Sequence, residues 1–245
     1  MSLQFRCGAL LLVFGILLLT SCSLVKSKGD SGNTSSSSKA GSTSSTSSDS
    51  SSKSTSFSPS SDARKDVRDA LLKLKTAYPY RMTETMSATA NGQAAMPEST
   101  RVVEFAAADR SHMKWTGGPG SDVEAISIGN KHYWYSNGKW TEGAVPSSRG
   151  ADRGADFANK LAEMVKEVKY VGPEVVNGIS CFAYTGTYET TMGGQNYSGT
   201  ARVWIGAADG LPHQSDSDFN VSNYGGKSHI VYEYSVNIKV EPPAL

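Results

Sequence analysis

Thiols, imidazoles and carboxylates are the groups that could do chemistry here, and the chain spaces them sparsely. It has three cysteines, Cys7, Cys22 and Cys181, and four histidines, His112, His132, His213 and His229. The histidines follow no metal-ligand spacing and read as isolated surface or rim residues. Asp216-x-Asp218-x-Asn220 has the opening spacing of a calcium-binding EF-hand loop. Val221 stands where that loop needs a glycine, however, and Lys227 where it needs the closing carboxylate, so the triplet reads as a polar strand or loop rim. No Gly-x-Ser-x-Gly elbow, Walker loop or dinucleotide fingerprint occurs. No convergent set of titratable groups can be assembled from the sequence, so an enzyme is the least favoured class, and no metal and no cofactor is expected. Cys181 lies in the strand-like run Ile179-Ser180-Cys181-Phe182 and reads as a small half-buried hydrophobe without a disulfide partner.

Cys22 is the exception. It follows the apolar run Ala9–Leu19, which itself follows a short head carrying Arg6. A positive head, an apolar core and small residues make a secretory signal peptide. The core falls short of the ~20 apolar residues that a spanning helix needs. Leu19-Thr20-Ser21-Cys22 resembles the bacterial lipobox. That resemblance implies removal of residues 1–21 and acylation of Cys22, diacylated through its thiol, as the new N-terminus. Ser23 follows, so the Asp retention signal of some sorting systems is absent.

Residues 23–61 are dominated by Ser, with Thr, Gly and Lys. Such a segment buries too little apolar surface to offset its ordering entropy, so residues 22–61 are expected to form a lipidated, disordered tether. Residues 62–245 remain for one folded domain. The whole chain carries 24 Lys+Arg against 23 Asp+Glu, and no basic stripe marks the folded part. No nucleic acid is expected as a partner.

Two helices and many strands must position whatever this domain binds. Val67, Ala70, Leu71, Leu74 and Tyr78 form one helical stripe over Asp62–Tyr78, with Ser60 and Ser61 as caps. The period then changes to two. Tyr80, Met82, Met86 and Ala88 share one face, and Arg81, Thr83, Thr85 and Ser87 the other. Strands over Arg101–Ala107, Met113–Trp115, Val123–Ile128 and Lys131–Ser136 follow, with a hairpin at Asn137-Gly138. A second helix is expected over Ala151–Val168, with Phe157, Leu161, Met164, Val165 and Val168 on its stripe. Further hairpins turn at Asn177-Gly178 and Gly193-Gly194, and the last strand reads as Ile230–Val240. The aromatic group Tyr133-Trp134-Tyr135, with Trp115 and Trp140, reads either as cross-strand packing or as an aromatic ligand-facing or membrane-interface surface. The expected fold is mainly β (α+β). One large curved antiparallel sheet forms a half-open β-barrel, with two amphipathic helices packed in its concave face.

Gly172-Pro173-Glu174-Val175-Val176-Asn177-Gly178 resembles the hairpin after the lid helix of the LolA/LolB superfamily of lipoprotein carriers. Val203-Trp204-Ile205, followed by Gly210-Leu211-Pro212, resembles a hairpin near that fold's end. The acylated LppX/LprG lipid-binding lipoproteins share the fold. Gly206 stands where the pattern has Asp. The resemblance implies an exported lipoprotein, anchored to the cell membrane or outer membrane, that binds the acyl chains of a lipid or lipoprotein for carriage or sensing in the cell envelope. The expected cavity lining is Met82, Met86, Phe105, Met113, Trp115, Leu161, Met164, Tyr232 and Tyr234, with Gly150 and Gly154 as hinges for the second helix. A structural or sensory envelope module with a filled core and a protein partner is the other open reading.

Overall fold

The computed structural model describes residues 56–90, 93–117, 122–136, 138–144, 153–192, 195–222 and 224–245. The signal, Cys22, the tether up to residue 55, the Asn91-Gly92 and Gly193-Gly194 turns, Asn137 and Gly150 lie outside them.

Helix α1 (Ala63–Lys73) starts where Asp62 accepts a hydrogen bond from the Lys65 N–H at 2.9 Å. The carboxylate of Asp62, rather than a serine hydroxyl, supplies the N-cap. The helix stops at Lys73, short of the expected Tyr78. Ser60 contributes its backbone N–H instead, to the Asp66 carboxylate at 2.8 Å. Six strands follow as a meander: β1 (Tyr80–Ala90), β2 (Gln93–Ala107), β3 (Arg110–Thr116), β4 (Val123–Ile128), β5 (Lys131–Ser136) and β6 (Lys139–Ala144). Helix α2 (Arg153–Met164) precedes a second meander: β7 (Val165–Val176), β8 (Ile179–Met192), β9 (Gln195–Gly206), β10 (Pro212–Val221) and β11 (Tyr224–Tyr234).

All eleven strands form one antiparallel, unclosed, curved sheet in the order β6-β5-β4-β3-β2-β1-β11-β10-β9-β8-β7. The two meanders are seamed by β1 against β11, with Tyr80 opposite Tyr234 and Met82 opposite Tyr232. β6 and β7 are the two edges, so the connection that carries α2 passes from one edge of the sheet to the other. Both helices lie on the inner face. α1 packs on α2, β7 and β9, and α2 on β7 and β8.

Local chemistry explains the boundaries. Asn177 (φ 52°) and Gly178 (φ 80°) both take the left-handed conformation that a two-residue hairpin needs. Helix α2 ends at Met164, and Val165 begins β7, with Val168 opposite Gly186. The apolar residues expected to extend the helix to Val168 are therefore strand. The β-branched valines satisfy a ladder there as readily as a stripe. The last strand also ends early. Ser235 has φ 60°, and the chain leaves the sheet. Ile238 and Val240 then pack with Ile126 and Tyr133 on the outer face of the first meander. Their alternation mimics a strand while burying one side against another.

The main core joins Val67, Ala70, Leu71 and Leu74 of α1 and Ala158 and Ala162 of α2 to Tyr80, Met82, Val103, Phe105, Tyr184, Ile205 and Tyr232 of the sheet. Full burial of a large apolar side chain is worth ~1.5–3 kcal/mol, so this layer carries most of the fold's stability. Phe57 joins it from before α1. Its ring lies 5.9 Å from that of Phe182, and its N–H donates to the Ala207 carbonyl at 2.8 Å. The expectation that nothing up to residue 61 contributes apolar burial fails at this residue. No helix among the described residues is long and apolar enough to cross a membrane.

Candidate functional site

The inner face is set by register. Met82 opposes Val103, Glu84 opposes Arg101, and these in turn oppose Met113 and Trp115 of β3. Across the seam, Met82 opposes Tyr232, and Glu84 opposes Ile230. Met82, Met86, Phe105, Met113, Trp115, Tyr232 and Tyr234 thus all share the face that the helices cover.

Between that face and the two helices lies a cavity of about 180 Å³. Val67 and Leu71 of α1, Leu161 and Met164 of α2, and Met82 and Tyr232 of the sheet are among its walls. Four of the nine expected lining residues, Met82, Leu161, Met164 and Tyr232, border it. The other five do not. Phe105, Met113 and Tyr234 belong to the main core. Met86 and Trp115 pack with Ala88 and Phe219 in a separate cluster. Beside the seam, Tyr80 stacks on Phe105 with centroids 4.7 Å apart and fills the space there.

The floor of the cavity is polar. Glu84 and Arg101 line it and form an ion pair, with side chains only 7% and 11% exposed. The second Glu84 oxygen accepts from the Ser228 hydroxyl at 2.6 Å. The alternation that puts Met82 and Met86 inside puts Glu84 there too, so the signal is present in the sequence. Val103 and Phe105 do the same for Arg101, and Ile230 and Tyr232 for Ser228.

A second charge is buried beneath α1. Asp66 accepts from the Tyr184 hydroxyl at 3.1 Å, and burial, reinforced by Asp66, pushes the Tyr184 phenol well above its usual range. Burial likewise raises Tyr80, Tyr232 and Tyr234 strongly, and takes Tyr188, a cavity wall, up to about 12.

A larger groove of about 700 Å³ lies on the outer face of the sheet. Thr185, Thr200, Arg202, Asp216 and Lys227 give it a polar, mixed-charge lining. We place the candidate site in the smaller cavity, because there, among the described residues, two amphipathic helices and the sheet enclose an apolar space.

The remaining candidate residues sit in structural roles. Asp216 and Asp218 are in β10, and Asp216 accepts from His229 across to β11 at 2.5 Å. His112 meets Glu124 at 2.7 Å, His132 meets the Ser127 hydroxyl at 2.7 Å, and His213 meets Asp209 at 3.0 Å. Gly206 has a packing reason. A Cβ there would lie 2.4 Å from the Asp209 carboxylate and 2.6 Å from His213. Cys181 is buried beside Ala183 and Trp204, and burial raises its thiol pKa. Of the aromatic group, Tyr133 is buried under Val240, and Trp134 meets His132 edge-on at 4.3 Å. Tyr135 is exposed against Trp140. Among the described residues no cluster of ligating side chains could hold a metal ion.

No family model matches the chain, and no curated protein matches it significantly. Solved structures do. LprF from Mycobacterium bovis is similar at 14% identity and a TM-score of 0.47, over 77% of this chain and 100% of that one. The lipoprotein LppX of Mycobacterium tuberculosis is similar at 15% identity and a TM-score of 0.45, over 73% and 98%. A LolA superfamily protein from Nitrosomonas europaea is similar at 8% identity and a TM-score of 0.33, over 72% and 94%.

Proposed function

We propose that the protein is an exported, lipid-anchored binding protein. It holds acyl chains of a lipid or lipoprotein between the sheet and α2, for carriage or sensing in the cell envelope. The supporting observation is the apolar space closed by Leu161 and Met164 of α2 against Met82 and Tyr232. A flexible chain offers little to hydrogen-bond, so such a wall suits it. Methionine side chains repack readily around variable shapes.

Ligand sites usually measure ~300–1,000 Å³, so a cavity of about 180 Å³ is the closed form on this reading. Opening requires α2 to move away from the sheet. α2 is the natural gate, because it lies in the one connection between the two edge strands. Among the described residues its contacts with β7 and β8 are few, and Arg64 of α1 donates to the carbonyl of Val165, the first residue of β7 just past its C-terminus, at 3.2 Å. The reading involves no catalysis. The membrane is contacted through acylated Cys22, and a protein partner in the envelope is compatible with it.

The test is native mass spectrometry of the soluble protein prepared without detergent. Co-purified lipid is expected, and Leu161→Trp should reduce it by filling the space. Lipid-free protein whose tryptophans are not quenched by a brominated phospholipid would refute the proposal. It would favour the structural or sensory module with a filled core, to which the small volume also lends itself.

A further inference from the structure

Large apolar side chains left in water gather on one hairpin. Among the described residues they are Tyr170, Val171, Val175 and Ile179 of β7–β8, with Tyr135 and Leu245 elsewhere. Val175 is 71% exposed. Register puts the apolar residues of the hairpin's tip on both of its faces. Pro173 opposes Phe182 and Val175 opposes Ser180, so Val175 shares the inner face with Phe182. Val176 opposes Ile179, and both share the outer face with Cys181. A folded protein partner covers one face of a strand pair. A tip that is apolar on both faces is covered instead by a medium that surrounds it. The charge beside the tip is matched. Glu174 pairs with Arg202 and accepts from the Trp204 indole N–H at 2.7 Å, so entry of the tip into lipid strips no unpaired carboxylate. Tyr170, farther down the hairpin, has the apolar body and polar end that suit a membrane–water boundary.

The point where the chain from Cys22 enters the domain lies at the same end of the sheet. Residues 23–55 join Cys22 to Ser56. The ring of Phe57 then lies 5.9 Å from that of Phe182, which is 6.2 Å from that of Tyr170. The Phe57 N–H donates to the Ala207 carbonyl at 2.8 Å, and the Ala207 N–H donates to the Ser180 carbonyl at 2.9 Å. Ser180 faces Val175 across the hairpin. As a Ser-rich coil, a tether of this length spans about 30 Å on average and holds the domain near the membrane at a roughly millimolar effective concentration. At that concentration a contact made by a few aliphatic side chains suffices. We propose that the β7–β8 tip is a second membrane contact, seating Val175 and Ile179 among the lipids of the bilayer that carries Cys22. This rests on the lipid-anchored reading above for the point of attachment alone.

The experiment supplies that attachment synthetically. The chain from Cys22 onward is coupled through the Cys22 thiol to a maleimide phospholipid in phosphatidylcholine vesicles, while Cys181 is buried and out of reach. Val175→Trp and Tyr135→Trp each add a tryptophan at an exposed position, at opposite ends of the antiparallel strands. The added emission is read with and without brominated phosphatidylcholine. Quenching is expected at Val175→Trp and should be several-fold weaker at Tyr135→Trp. Burying one aliphatic side chain corresponds to about a tenfold change in an equilibrium. Adding Ile179→Glu to Val175→Trp should therefore lower the docked-to-free ratio about tenfold, and the quenching with it. Equal quenching at both positions, or quenching that survives Ile179→Glu, overturns the proposal. Absence of quenching at either position also overturns it and leaves the apolar tip to a protein partner. Quenching here, together with unchanged membrane fractionation of Cys22→Ala in cells, would overturn the acylation of Cys22 and leave the contact standing.

Discussion

Deleting the ring of Phe57 tests where the folded domain begins. The residue precedes α1 by only a few positions, in a segment whose composition reads as tether. Yet its ring contacts Phe182, the Lys73 ammonium lies 5.8 Å from the ring centroid, and a Cβ on Gly210 would come within 3.2 Å of the ring. A fully buried Phe→Ala change costs ~3–5 kcal/mol. Phe57 is half-buried, so about half of that, ~2 kcal/mol, is expected, with the exposed cation–π contact supplying about 0.5 kcal/mol of it. At ~2–4 °C per kcal/mol for a domain of this size, Phe57→Ala should lower Tm by about 4–8 °C. A truncation that starts at Asp62 removes more. It also deletes the Phe57 N–H bond to Ala207 and the Ser60 N–H bond to Asp66, for a total near ~3 kcal/mol and a fall of about 6–12 °C. Differential scanning calorimetry of the non-acylated protein, the point variant and the truncation at one pH would measure this. A truncated protein melting within about a degree of the longer one would show that Phe57 contributes no packing, and the reasoning would fail.

Cys22→Ala should move the protein from the membrane to the soluble fraction of detergent-free extracts; unchanged fractionation would contradict acylation. Gly199→Ala places a Cβ 2.0 Å from the Asp218 carbonyl and 2.8 Å from the Tyr188 ring, so it should destabilise by ~1–3 kcal/mol in denaturant melts, whereas an unchanged midpoint would mean that the β9–β10 pair yields freely. The raised tyrosines predict the alkaline limit. Their folded pKa values lie above the ordinary 10.0, so the neutral phenols' stabilisation is complete below pH 10 and is lost as pH rises through the folded values, the first at about 12 for Tyr188. Phenolate absorbance should therefore lag behind free tyrosine and then rise together with unfolding; independent titration near pH 10 with the fold intact would refute it.

Much of this architecture can be read from residue order, and the failures have physical causes. Hairpin tips such as Asn177-Gly178 announce themselves because few other residues tolerate positive φ. The two-residue alternation of Tyr80, Met82 and Met86 fixes the face that the helices cover. Helix ends are less legible, since Val165 and Val168 fit a helical stripe and a strand equally well, and only pairing with β8 decides between them. The cavity is harder still. Its walls and the packed core use the same residue types, and which of them leave a gap depends on how closely rings such as Tyr80 and Phe105 approach. Glu84, Arg101 and Asp66 escape a search for apolar linings because they are charged, although their positions point inward. Phe57 is hidden because a single aromatic in a serine-rich segment has no periodicity to mark it.

The seam between β1 and β11 sets the order in which this molecule can assemble. Every other strand pair joins neighbours in the chain, but Tyr80 must find Tyr234 across nearly the whole domain. Closing so long a loop costs entropy that local hairpins do not incur, and topologies dominated by distant contacts fold slowly. The two meanders can therefore form early as separate half-sheets, each with one edge destined for the centre. Until those edges meet they are unpaired templates for another chain, so the interval before closure is when a newly made molecule is most open to swapping halves with its neighbour.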